Sequence, residues 1–171
     1  MKVGGLGEIM YSLPKALRDL GHDARIMIPK YASMDTEKFI FKSDLRQLTV
    51  VPVSMDQAGL FVCNVLRYDN EKGKTEAYFL ENQEYYEKRA NTYGYADDAV
   101  RWALLSKGAL EFIKQSVWKP DIIVASDWQA GLIPNYIHTV YRDDPALSKI
   151  ATLFSIHNLA YQGMFDHHFV S

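Results

Sequence analysis

Apolar residues recur at Leu6, Ile9, Met10, Leu13, Leu17 and Leu20, the spacing of one helical face. Gly21 then supplies a C-terminal cap, and Pro14 inside the pattern predicts a kink or a local loss of stability. Ala24–Ile28 reads as a short buried strand closed by Pro29. Between residues 39 and 80 the pattern changes. Phe39–Phe41, Leu48–Val53, Leu60–Leu66 and Ala77–Leu80 are short strand-type runs, separated by turn-forming stretches at Asp56–Gly59 and Asp69–Gly73. They predict an antiparallel insertion or edge region. Glu81–Arg89 is polar, with paired tyrosines Tyr85 and Tyr86, and predicts an exposed segment.

A long helix is expected from about Asp97 to Gln115, with Val100, Ala103, Leu104, Ala109, Phe112 and Ile113 inward. Ile122–Ala125 is the next strand, Trp128–Tyr141 the next helix and Lys149–Ile156 a further strand. Asn158–Ser171 has no clear period. This alternation predicts an α/β fold with a Rossmann-like, doubly wound parallel sheet and a small antiparallel insertion. Such sheets bind ligands at the carboxyl ends of their strands. Three polar clusters are expected on that rim: the glycines near the start, Ser126–Gln129 after one strand, and His157–Asn158 after another.

Composition narrows the partners. The chain has 171 residues, 48% of them hydrophobic, which suits a packed globule. A net charge of −2 and the lack of a basic run argue against nucleic acid and anionic membrane. No apolar stretch is long enough to span a bilayer, and the start lacks a signal-peptide pattern. The single cysteine, Cys63, lies in an apolar run and reads as a buried thiol in a reducing cytoplasm. It has no local His or basic residue to activate it as a nucleophile.

Each candidate residue has a plain structural alternative. Lys2 with Gly4, Gly5 and Gly7 suits a phosphate at a helix N-terminus, and equally a tight turn with a solvated lysine. The spacing is neither a dinucleotide fingerprint nor a P-loop. Asp127 reads first as a helix N-cap, and second as an acceptor for sugar hydroxyls. Trp128 and Trp102 read as core, whereas Tyr95, just before a helix, is the better ligand candidate. His157 at a strand end is either a hydrogen-bonded core histidine or a substrate contact, and its position favours the latter. His167 and His168 have no third ligand at a metal-like spacing, so no metal is expected.

Four segments together resemble one family. Lys2-Val3-Gly4-Gly5-Leu6-Gly7-Glu8 is similar to the Lys-x-Gly-Gly-Leu motif of bacterial glycogen synthases and plant starch synthases. Tyr95-Ala96-Asp97-Asp98 through Leu105, and Lys119-Pro120-Asp121 through Pro134, resemble their next two motifs. Ser155-Ile156-His157-Asn158-Leu159-Ala160-Tyr161-Gln162-Gly163 is similar to their most specific one. Order and spacing agree over the whole chain.

The resemblance implies a retaining glucosyltransferase with two Rossmann-like domains (the GT-B type). It would move glucose from ADP-glucose to the non-reducing end of an α-1,4-glucan, with no cofactor or obligatory metal. His157 would contact the transferred glucose. Lys2, Gly4 and Gly5 would meet the donor phosphates, Asp127 and Asn158 would shape the sugar pocket, and Tyr95 would pack beside it. Electrostatic stabilisation of the leaving diphosphate would replace a protein nucleophile.

The sequence also departs from the family. Ser126 and Gln129 stand where histidines are common, Glu8 replaces Asp and Asp98 replaces Asn. The family's first strand precedes the lysine, and its nucleotide-binding domain follows the matched region. The chain is therefore expected to be a partial N-terminal domain, inactive in transfer by itself, with a non-catalytic glucan- or nucleotide-sugar-binding module as the alternative.

Overall fold

The computed structural model describes residues 4–32, 34, 45–55 and 59–166. Lys2, the expected strand Phe39–Phe41, most of the turn Asp56–Gly59, and His167 and His168 lie outside them. The chain packs as two compact units. One holds the described residues of Met1–Val51 and Val62–Thr92, the other those of Pro52–Phe61 and Tyr93–Ser171.

The first unit opens with α1 (Gly4–Asp19). Gly4 and Gly5 are its first helical residues, so the glycines form the first turn of the helix and not a separate turn at positive φ. Pro14 is buried within the helix, which continues through it. Gly21 stops the helix as expected. Its φ is +94°, its N–H bonds the Arg18 carbonyl, and the His22 N–H reaches back to Leu17. The apolar face is covered only in part: Leu6, Ile9, Met10 and Leu17 are half-buried, Leu13 and Leu20 exposed.

Four strands follow the order β1-β4-β3-β2: β1 (Ile26–Pro29), β2 (Leu45–Ser54), β3 (Leu60–Asp69) and β4 (Thr75–Glu81). β3 and β4 pair antiparallel, with Val65 opposite Leu80. β4 in turn pairs parallel with β1, Ile26 opposite Ala77 and Pro29 opposite Leu80. The antiparallel region joins the parallel part of the fold through its last strand. β1 itself is half-buried and not the buried strand expected, since it stands at the end of the strand order. Cys63 is buried on β3, and burial pushes its thiol up to about 11, against the weaker effect of the Asn82 amide.

Glu81–Arg89 departs most from expectation. A π-helical turn spans Gln83–Glu87, and Tyr86 within it is fully buried. Two of its carboxylates meet Lys30, whose Nζ lies 2.5 Å from Glu81 Oε1 and 3.3 Å from Glu87 Oε2. Asn64 donates to the other Glu81 oxygen at 2.7 Å. Lys30 follows β1 and Glu81 ends β4, so a cation and two carboxylates meet at the carboxyl ends of the parallel pair. Burial opposes ionisation of all three. The ion pair still holds Glu81 below the usual carboxylate range and Lys30 above its own, while burial and the Glu81 charge raise Glu87.

The second unit is built on α2 (Asp98–Gln115). Leu104, Leu110 and Phe112 are buried as their spacing requires, but Val100 and Ala103 are only half-buried. Arg101 and Lys107 are buried in their place. Each has a partner that makes this tolerable. Arg101 pairs with Asp98 at 2.5 Å, and Lys107 donates to the Ser54 carbonyl at 3.1 Å over the Tyr136 ring.

β5 (Ile122–Ser126) and β6 (Ala151–Ser155) form a parallel pair in register from Ile122–Ala151 to Ser126–Ser155. The helix expected at Trp128–Tyr141 is two short ones, α3 (Asp127–Ala130) and α4 (Leu132–His138). Pro134 has no N–H to give to Ala130, so the ladder cannot continue across Gly131.

The Asp98–Arg101 pair and the half-buried Lys30 cluster can each be tested by substitution. Asp98→Ala leaves Arg101 buried and unpaired by its carboxylate, and should cost about 3–5 kcal/mol in urea unfolding. A loss below about 1 kcal/mol would contradict the pairing. Lys30→Met leaves Glu81 and Glu87 facing each other, raising the folded pKa of one or both above its unfolded value. That penalty is present at neutral pH and disappears as the pair protonates. The variant should therefore lose more stability at pH 7 than at pH 4, and equal losses would argue against the cluster.

Candidate functional site

β5 leads directly into α3, and Asp127 stands at the junction with φ +56°. Left-handed backbone disfavours most L-residues, and Asp is among those that adopt it most readily. The turn carries the carboxylate away from its own helix. Ser126 is the N-cap position, and the Asp127 carboxylate does not serve as the simple N-cap expected. Oδ1 instead accepts the His157 N–H at 2.6 Å and the Asn158 N–H at 3.3 Å, thirty and thirty-one residues along the chain. Asp127 is 6% exposed, so these bonds to an ionised acceptor replace much of its hydration. Each such bond contributes about 1.5–3 kcal/mol.

The segment after β6 is therefore fixed at its root. The His157 imidazole is exposed, with Nε2 3.1 Å from Ser155 Oγ. Asn158 turns its Oδ1 onto the Ala160 N–H at 3.0 Å. Gln162 donates Nε2 to the carbonyls of Asn158 and Leu159, closing the loop on itself. The backbone is held by Asp127, leaving the ring of His157 at the surface.

Aromatic rings support this loop. Trp128 stands edge-on to Trp102 at 5.9 Å and to Tyr161 at 6.0 Å, and packs against Phe165 at 5.6 Å. Tyr161 also meets Tyr93 at 5.7 Å, and both are about half exposed. Tyr95 is half-buried, and its ring lies 5.1 Å from the Arg101 guanidinium. Asp98 Oδ2 accepts the N–H groups of Gly94 and Tyr95, so one buried ion pair holds the turn that carries Tyr95.

Of the residues singled out from sequence, Asp127, His157 and Asn158 meet at the carboxyl ends of β5 and β6. Tyr95 stands in the same unit, on a turn anchored to α2. Gly4 and Gly5 belong to the other unit, in the first turn of α1, and Lys2 lies outside the described residues. Tyr161 sits in the same motif as His157, and its packing against Trp128 is not legible from the sequence. Among the described residues no group of three or more His, Cys, Asp or Glu is arranged to hold a metal ion. No helix among them is long and apolar enough to cross a membrane.

Comparison with known proteins gives a single answer. Residues 1–171 match the family described as the starch synthase catalytic domain. A glycogen synthase of Clostridium acetobutylicum is 41% identical over 168 residues, covering 96% of this chain and 33% of that protein. A glycogen synthase of Clostridium botulinum is 40% identical over 167 residues, covering 97% and 34%. The solved catalytic domain of starch synthase IV from Arabidopsis thaliana, bound to ADP and acarbose, superposes with a TM-score of 0.85. It is 34% identical and covers 99% of this chain and 34% of that one. The chain thus spans about a third of the length of the relatives it matches. Together with the α/β fold and the loop held at the ends of β5 and β6, this match means that the chain belongs to the starch synthase catalytic domain family.

Proposed function

We propose that the chain supplies the acceptor side of a retaining glucosyltransferase, which moves glucose from ADP-glucose to the non-reducing end of an α-1,4-glucan. The observation that carries this reading is the Asp127–His157 bond at the carboxyl ends of a parallel strand pair. It presents an imidazole from a backbone that cannot drift. The glycogen synthases among the relatives, and the neighbour solved with ADP and acarbose, support the same direction.

In this reading His157 hydrogen-bonds a hydroxyl of the transferred glucose. Asn158 offers its Nδ2 as a donor beside it, and Tyr95 provides an apolar face for a sugar ring. Asp127 acts through the backbone it holds and gives the pocket its negative wall. Lys2 balances donor phosphate charge, with N–H groups at Gly4 and Gly5 in the first turn of α1. Transfer relies on positioning and on electrostatic stabilisation of the departing diphosphate, without a protein nucleophile or a metal. The work is cytoplasmic. The chain spans about a third of a relative's length, and we expect it to bind glucan.

Titration of the purified chain with maltoheptaose, followed by calorimetry, tests the reading. Saturable binding is expected, and His157→Ala and Tyr95→Ala should each weaken it roughly tenfold, or about 1.4 kcal/mol. Binding that neither substitution changes, or no binding at all, would contradict it.

A further inference from the structure

Gly163 has φ +61°, and a Cβ placed on it would lie 2.1 Å from Trp128 Cε3, 2.3 Å from Cδ2 and 2.8 Å from Cζ3. No side chain fits there unless the indole moves. Trp102, Tyr161 and Phe165 pack against the half-buried indole and oppose its movement. Gly131, by contrast, would meet its neighbours only at 3.4 Å or more, and the glycines at 21, 59, 73 and 94 face open space. Among the glycines whose surroundings are described, Gly163 alone is pressed into a side chain.

The position of that side chain matters more than the contact. Trp128 follows Asp127 directly. Asp127 holds the start of the loop at His157 and Asn158, and Trp128 packs on its far end at Gly163. Two neighbouring residues at one strand-to-helix junction therefore contact both ends of a seven-residue loop. A loop fixed at two points has far fewer conformations than one fixed at its root.

We propose that Gly163 and Trp128 form a positioning clamp that sets where the His157 imidazole and the Asn158 amide point. Neither is a catalytic residue, since both act through the loop. The functional weight of the clamp rests on the reading of His157 as a sugar contact, but its existence does not.

Amide hydrogen exchange and the His157 Hε1 resonance, measured by NMR on the whole chain without sugar, test the clamp. Gly163→Ala should speed exchange of the His157 and Asn158 amides at least tenfold and shift the His157 ring resonance. Amides of α2 between Leu104 and Phe112 should keep their protection. Trp128→Ala should loosen the same two amides. In the double variant, Gly163→Ala should add much less to Trp128→Ala than it does to the parent chain, because the clash is gone. The strain of Ala at positive φ is common to both backgrounds and drops out of that comparison.

Unchanged exchange in Gly163→Ala, or an equal effect in both backgrounds, would overturn the proposal. If Gly163→Ala does not fold, Trp128→Ala decides alone: a tenfold loss of protection at His157 supports the clamp, and full protection overturns it. These readouts need no ligand. A failed glucan reading would leave them intact, and a failed clamp would leave the maltoheptaose titration intact.

Discussion

The candidate site depends on one carboxylate oxygen. Asp127 Oδ1 takes the N–H groups of His157 and Asn158 and so joins the exit of β5 to the exit of β6. Parallel strands leave their last backbone groups without a ladder partner, and buried N–H groups need an acceptor. A buried, ionised side chain at a left-handed junction meets that need. The junction conformation is disfavoured by about 1–2 kcal/mol for most L-residues, and two charge-assisted hydrogen bonds more than offset that. An aspartate used in this way has a structural task besides any contact with a ligand.

Around that bond the second unit repeats one device. A buried charge is matched locally, and its second oxygen or remaining bonds hold a loop. Asp98 pairs with Arg101 and also takes the N–H groups of Gly94 and Tyr95. Tyr95 and His157 are thus carried on loops of irregular backbone, each fixed by one carboxylate. In the first unit the Lys30–Glu81–Glu87 cluster occupies the matching place, the carboxyl ends of a parallel pair.

Local signals in the sequence were accurate where the structure is local. Gly21 closes α1, Asp69–Gly73 turns between two strands, and α2 begins within a residue of its expected start. The helix-period reading failed at Val100 and Ala103, because Arg101 and Lys107 found buried partners that hydropathy alone does not reveal. Glu81–Arg89 reads as exposed, but Glu81 and Glu87 are paired by Lys30, more than fifty residues away, and Tyr86 is buried. Asp127 carried the local signature of a helix cap, while its partners lie thirty residues on. Pro134 was a visible signal for the break at Gly131. The resemblance of four motifs points to the candidate site residues, but what Asp127 does is not legible there, since motif and N-cap patterns look the same in one dimension.

The most direct test of this account is the scalar coupling across the Asp127–His157 hydrogen bond, between the His157 amide nitrogen and the Asp127 side-chain carboxyl carbon. At 2.6 Å the account predicts a resolved coupling and a strongly downfield His157 amide proton. No coupling, with a His157 amide proton at a random-coil shift, would mean that the loop is not held at its root, and the site as described would not exist.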